Sequence, residues 1–379
     1  MFLAVSLQAR GLRVAFVGDP QVNDETELGY ARETIYKDLL GRKDIDLVIL
    51  LGDLVNDNPT LLSSSRQILD SLRCPWFAVP GNHDFDSYQD KGKIRDLATW
   101  KKVIGYADST FVVENVRFAL VNNVAYKSRG GYDGEFSERQ MAWLDSLSKV
   151  TPLEMHIVLA THIPASRTAQ KSLLMEMFAG YKNILFVSGH THTVARHLLE
   201  DNGKVEEVIA GAACGSWWRG QKDKDGVPYA LQNCGAPRGY FVTDFSKKTY
   251  SHQYCAISEK GECSVFQETK DGKNMLYVNV YGGYRDAKVE VRLPAHGWLD
   301  VMKSSETACE VKGVISFNNA MTREERKKRR DEIIPLRRMK SPHLWALELP
   351  GGISPDKVKV RYVDPNMSFS KVIHVKKTL

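Results

Sequence analysis

The chain has 379 residues, is 43% hydrophobic and 26% charged, and carries a formal net charge of +6. That length exceeds one typical core, so a large domain and a smaller one are expected, with the composition of an ordinary folded globule. No apolar run approaches the roughly 18 residues that span a bilayer, so no transmembrane segment is expected.

Residues 2–7 are apolar and end at Ser6-Leu7-Gln8-Ala9. They read equally as the remnant of a signal peptide and as a first strand, which leaves exported (periplasmic) and cytoplasmic locations both open. The six cysteines form no C-x-x-C pair and are expected as free buried thiols.

From residue 12 onward, short runs rich in Val, Ile, Leu and Phe occupy 12–17, 47–51, 76–79, 157–160 and 184–187. They read as strands buried on both faces of a sheet. Segments 25–40, 60–72, 95–104 and 137–147 place apolar residues at helical spacing, and Ser137 with Gln140 matches a capping box. Alternating strands and helices imply an α/β layered domain, in which ligands gather beyond the carboxyl ends of strands.

Each apolar run is followed by a polar cluster: Asp19-Pro20-Gln21, Gly52-Asp53-Leu54-Val55-Asn56, Gly81-Asn82-His83-Asp84, Thr161-His162 and Gly189-His190-Thr191-His192. Taken singly, Asp53 is an ordinary turn or cap and His162 an ordinary loop histidine. Five such clusters on one edge point instead to a metal site. Carboxylate, amide oxygen and imidazole suit Mn, Fe, Zn or Mg, and the absence of a cysteine pair argues against a thiolate site. One carboxylate can bridge two ions about 3.5–4 Å apart that clamp a phosphoryl group. Asp53 is the expected bridge. Of the ten histidines, His156, His197, His252, His296, His343 and His374 lack this context and are expected to be structural or superficial.

These clusters resemble, in order, the D-x-H, G-D-x-x-D/N, G-N-H-D/E, H and G-H-x-H motifs of the calcineurin-like metallophosphoesterase superfamily, over about residues 13–192. The resemblance implies a four-layer α-β-β-α metallophosphoesterase sandwich and two divalent metal ions. Asp19, Gln21, Asp53 and His192 would hold the first metal; Asp53, Asn82, His162 and His190 the second. It implies attack on phosphorus by a dimetal-bridged hydroxide, with His83 as general acid or transition-state donor and Asp84 orienting it. Gln21 replaces the usual histidine of the first motif, which makes the first site harder and shifts selectivity toward Mn, Fe or Mg. A D-P-Q branch of the superfamily has the same substitution.

Beyond residue 192 the pattern turns to β. Residues 205–213 and a hairpin over 240–255 are expected to complete the catalytic sheets, giving a catalytic domain over 11–257. Between them, Trp217, Trp218 and Arg219 lie in an irregular Gly- and Pro-rich stretch. They read either as a substrate-stacking roof on the site or as a plug between domains. Residues 211–240, and more weakly 341–345, are similar to parts of a bacterial subgroup that carries a carboxyl-terminal domain. Alternating strands at 276–280, 288–293, 311–317, 344–349, 358–363 and 372–375, with turns at 281–284 and 350–352, predict a smaller β-sandwich over 264–379.

The basic run between Arg323 and Lys340 is interrupted by Glu324, Glu325, Asp331 and Glu332 and has no interleaved aromatics. It reads as a solvated helix or loop, and nucleic acid is not an expected partner. The expected function is metal-dependent hydrolysis of a phosphate ester. The alternatives are a phosphodiesterase or nuclease, which differs only in substrate, and a metal-binding scaffold without turnover, for which Gln21 is the one supporting residue. The sequence assigns no oligomeric state.

Overall fold

The computed structural model describes residues 11–86, 95–128, 130–199, 205–257, 261–294 and 296–377. The apolar amino-terminal residues 1–9, with their signal-peptide and strand readings, lie outside the described residues. No helix among those described is long and apolar enough to cross a membrane.

Two sheets pack face to face. The first has five strands, in the order Tyr250–Ala256, Gly239–Phe245, Leu12–Val17, Leu47–Leu50 and Trp76–Ala78, the last three parallel. The second has six, in the order Val194–Leu198, Val205–Ala210, Ile184–Ser188, His156–Ala160, Val116–Leu120 and Ser109–Val113, with a parallel centre. Successive strand side chains point to opposite faces, and here both faces are covered. Val14, Phe16, Leu47 and Ile49 enter the core between the sheets with Phe118, Val158, Leu185 and Val187. The intervening Ala15, Val17, Val48 and Leu50 pack outward against helical residues such as Leu28, Ile35, Leu62 and Trp100. Ile157, Leu159, Ile184 and Phe186 do the same on the other side, against Leu144, Leu174 and Met175. The result is the expected four-layer α-β-β-α sandwich.

The helices begin where their caps are. The Ser137 side chain accepts from the Gln140 N–H and starts Glu138–Val150, as the capping box predicts. Asp24 caps Glu25–Ala31, which continues through a π-type turn at Arg32–Tyr36 into Lys37–Gly41.

Strands between Cys263 and Lys377 form a second, β-rich unit. They make one eight-stranded sheet, closed across its middle by the long strand Ser368–Lys377. Its first part pairs with Lys357–Val363, and its last residues, from Val375 to Lys377, pair with Cys263–Lys270. Apolar residues from both halves, including Val265, Val278, Val291, Trp345 and Val360, share one core. Residues 311–317 are not a strand. They lie within the helix Cys309–Ala320, because Val311, Val314 and Ile315 also fit a helical stripe, and that stripe packs against Leu231, Ile334 and Leu336.

The two units are locked by a buried charge network. Arg196, on an edge strand of the six-stranded sheet, lies 2.6 Å from Glu206 and 2.9 Å from Asp364 of the carboxyl-terminal unit. His252 and Asn366 complete the shell around Glu206 at 3.2 and 2.6 Å. All six cysteines are free thiols, as expected, and four are buried; Cys74 and Cys255 are only half-buried.

Candidate metal centre

Strands from both sheets run toward one edge and end at Val17, Leu50, Ala78, Ala160 and Ser188, and the five polar clusters follow them there. The turns are tight enough to force unusual backbone. Among the described residues ten non-glycine positions have positive φ, and five of these are expected ligands: Asp19, Gln21, Asp53, His190 and His192. Such conformations are costly for residues with a Cβ and concentrate at functional sites. Glycine makes the close approach possible. A Cβ on Gly81 would lie 2.2 Å from the Asp53 Oδ1.

Asp19, Asp53 and His162 are buried, and one ligand atom from each lies within 4.8 Å of the others. The His162 Nδ1 sits 2.8 Å from the Leu51 carbonyl, which can only accept, so this nitrogen carries a proton. Its Nε2 then faces the Asn82 Oδ1 at 3.0 Å and the Asp53 Oδ2 at 3.3 Å, two further acceptors. A cation or a second proton must stand between them. The His190 Nδ1 lies 3.2 Å from the same Nε2, and the His190 N–H donates to the Asp19 Oδ2 at 2.8 Å. The His192 Nδ1 likewise donates to the Gly215 carbonyl at 2.7 Å, leaving its Nε2 4.0 Å from the Asp19 Oδ2. The Asp19 Oδ1 is buried without a hydrogen-bond partner.

Charge follows from this crowding. Burial, and then the His162 charge, depress His190 to about 3. Burial, partly offset by Asp53, depresses His192 to about 4. Both rings are therefore neutral, with lone pairs to donate. Burial also works against a charge on His162, but Asp53 and Asp19 outweigh it and raise the imidazole to about 9. Burial raises Asp19 well above the usual carboxylate range despite His162. A site that holds its acids and bases in such conflict without an ion fits a divalent cation.

Gln21 enters the same edge: its N–H donates to the Asp53 carbonyl at 2.8 Å. Its side chain is held on both sides, with Nε2 3.4 Å from the Asn56 Oδ1 and Oε1 3.7 Å from the Cys214 Sγ.

His83 stands apart from this cluster. The carboxylate beside it is Asp57, not Asp84: the Asp57 Oδ2 lies 3.1 Å from the His83 Nδ1, and the Asp57 Oδ1 is 2.5 Å from Arg95. Burial disfavours the His83 imidazolium, but Asp57 and Asp53 outweigh it and raise its pKa. Asp84 instead turns into the loop, where it accepts from the Gly81 N–H at 2.8 Å and the Val55 N–H at 3.0 Å. Aspartate at the third position of a short helical turn is placed for such capping, so its sequence neighbour His83 is not its partner. The sequence offered no signal for Asp57 beyond its place next to the second motif.

The tryptophan pair splits. Trp217, at φ 113°, turns its ring to within 5.4 Å of His192 and 6.2 Å of His83, centroid to centroid. Trp218 is buried in the core and donates its indole N–H to the Pro20 carbonyl at 2.9 Å, with the Arg238 guanidinium over its ring. It props the loop that carries Asp19 and Gln21. Arg219 lines a separate cleft beside Tyr30. Two tyrosines that the sequence did not single out frame the site: Tyr126 donates to the Asn82 carbonyl at 2.8 Å, and the Tyr132 ring lies 6.0 Å from that of His190.

Comparison with known proteins agrees with this geometry. Residues 12–194 match the family described as calcineurin-like phosphoesterase, and residues 207–368 match the one described as the C terminal of calcineurin-like phosphoesterase. Comparison with curated proteins returns no match. Two solved structures are similar at a distance. Phosphopantetheinyl hydrolase from Mycobacterium tuberculosis is 12% identical with a TM-score of 0.35, over 54% of this chain and 90% of the other. The 5'-nucleotidase from Candida albicans SC5314 is 11% identical with a TM-score of 0.38, over 65% of this chain and 52% of the other. Neither bears on function at that distance. The two family matches run from the first strand through most of the carboxyl-terminal unit, and the chain belongs to the calcineurin-like phosphoesterases that carry this C-terminal domain.

Proposed function

We propose that the protein hydrolyses phosphate esters at a two-metal centre. The observation that supports this most directly is the His162 Nε2, set 3.0 and 3.3 Å from the Asn82 and Asp53 oxygens, where a cation or a proton has to stand between them. Asp19, Gln21, Asp53 and His192 would hold one divalent ion, and Asp53, Asn82, His162 and His190 the other, with Asp53 shared. Manganese, iron, zinc and magnesium all suit this donor set, and the Gln21 oxygen favours the harder ions at the first position. When bound, such a pair supplies Lewis acidity that activates water and neutralises phosphoryl oxygens.

The chain's own groups do the rest. The Leu51 and Gly215 carbonyls fix the His162 and His192 tautomers, so that each ring presents Nε2 to the centre. His83, with the Asp57 carboxylate 3.1 Å from its Nδ1, would offer its Nε2 to the leaving oxygen, and Arg95 fixes Asp57 in turn. Trp217 would cover the side of the centre at His192 and His83.

His83→Ala tests the division of labour. Metal content should be unchanged while turnover of p-nitrophenyl phosphate falls by about 10²–10⁴-fold. Unchanged turnover would remove His83 from the mechanism.

A further inference from the structure

A cleft of about 850 Å³ opens beside the metal centre, between the first helix, the segment after Trp217 and the carboxyl-terminal unit. We propose that this cleft is a subsite for a second anionic group on the substrate, held by Arg219, Lys222 and Lys328. The inference rests on the phosphoesterase reading of the neighbouring centre.

The cleft is joined to that centre through the chain. Trp217 faces His83 and His192, the Trp218 indole holds the Pro20 carbonyl of the first metal loop, and Arg219 follows directly. Trp218 is shared by the cleft wall and the loop of Asp19 and Gln21, and the subsite requires an ester held at the centre to extend past Trp217 into the cleft. The far wall is tied to the segment after Trp217. The Gly220 N–H donates to the Asp331 carbonyl at 2.8 Å, and Leu231 packs with Ile334 and Leu336 in one small core.

The charges in the cleft are unequally engaged. Arg329 is paired with Glu332 at 2.6 Å. Asp24 and Glu27 are turned to backbone: Asp24 accepts the Glu27 N–H at 2.9 Å, and Glu27 accepts the Asn23 N–H at 2.7 Å. Asp24 caps the helix Glu25–Ala31 and Glu27 lies in its first turn, where the dipole offsets part of their charge. Of the acids, Asp331 alone has no hydrogen bond to its carboxylate among the described residues. By contrast Arg219, Lys222 and Lys328 have no carboxylate within 4.0 Å among the described residues; Arg219 acts on the Glu27 carboxylate only from beyond that distance, and Lys222 stands over the Tyr30 ring at 5.6 Å. Three cations drawn from two walls, without ion pairs, match a compact anion such as a phosphate or a carboxylate. Lys328 comes from the basic run of the carboxyl-terminal unit, most of which is exposed. That unit would thus help to select the substrate.

The test uses the full-length, metal-loaded protein, with p-nitrophenyl phosphate as reporter. A graded series of alkanediol bisphosphates is compared as inhibitors with alkyl monophosphates of the same length, and with aminoalkyl phosphates. At the best length the bisphosphate should inhibit at least about tenfold more strongly than the monophosphate. Dicarboxylate and phosphate-carboxylate analogues separate phosphate from carboxylate as the second anion. The combined R219A/K222A/K328A variant should bring the bisphosphate-to-monophosphate ratio to about one, and any general effect of the substitutions cancels in that ratio. Lys224→Ala, an exposed lysine paired with Asp225 and outside the cleft, should leave the ratio intact. Equal inhibition by both series with turnover present, a ratio that survives the triple substitution, or a gain for the aminoalkyl esters instead would overturn the subsite. Absence of both turnover and monophosphate binding would overturn the phosphoesterase reading first, and the subsite with it.

Discussion

Arg196→Met should weaken the union of the two structural units more than any surface substitution. The guanidinium is buried and stands between Glu206 at 2.6 Å and Asp364 at 2.9 Å, with side-chain exposures of 1%, 4% and 0%. Removing it leaves two carboxylates in a dry interface that keep hydrogen bonds from His252, Asn366, Tyr362 and Met367 but lose the guanidinium that balances their charge. Breaking a buried pair in this way costs about 3–5 kcal/mol. For a domain of this size that corresponds to a drop in Tm of roughly 6–20 °C by calorimetry, and separation of the transition into two steps is expected. The pH dependence has a definite sign. Burial acts to raise Glu206, but Arg196 and then His252 outweigh it and hold its carboxyl below the usual range. In the native protein its stabilisation is therefore present above the unfolded pKa and is lost as pH falls through the folded one. In the variant the carboxyl is left buried and rises above its unfolded pKa, so the penalty is greatest near neutrality. The gap in Tm between the two proteins should thus narrow from about pH 7.5 to about pH 5. A variant within about 2 °C of the native protein, or a gap that widens on acidification, would refute the reasoning.

The site makes further predictions. Asp57→Asn should leave metal content unchanged and lower turnover by about tenfold, less than loss of His83 itself, because it removes the group that orients and charges the imidazole; Asp84→Asn should instead show its effect in thermal stability. Gly81→Ala forces a methyl into the Asp53 carboxylate, and it should cost about 1–3 kcal/mol in urea unfolding and lower the metal bound after dialysis. Gln21→His should raise zinc affinity at one site only, read as a change in one of two binding steps by calorimetry.

Much of the fold was legible because burial on both faces keeps the central strands largely apolar. Leu47–Leu50 is entirely apolar, and such runs between helical segments point to parallel sheets. The cluster of Asp19, Asp53 and His162 was legible because the chemistry sits immediately after each run. What the sequence withheld is side-chain direction. Nothing local distinguishes Asp57 from Asp84 as the partner of His83; the choice is made by the positive φ of Asp57 and by two backbone amides that take Asp84. Trp217 and Trp218 are neighbours with opposite fates because the backbone at Trp217 lies at φ 113°. Residues 311–317 satisfy both periodicities, and only the facing apolar surface of Leu231, Ile334 and Leu336 decides for a helix. The strand read at 372–375 extends over Ser368–Lys377 because its two ends pair with different neighbours.

The central claim is most directly tested by counting metals and turnover in one preparation. Protein purified without chelator is assayed for bound Mn, Fe, Zn and Mg, and then for release of p-nitrophenol from the mono- and bis-p-nitrophenyl esters, with and without added manganese. The account predicts two divalent ions per chain, turnover of at least one ester, and loss of both on Asp53→Ala. A protein that binds no divalent ion under any of these conditions, or one that hydrolyses either ester equally well with Asp53 removed, would contradict it.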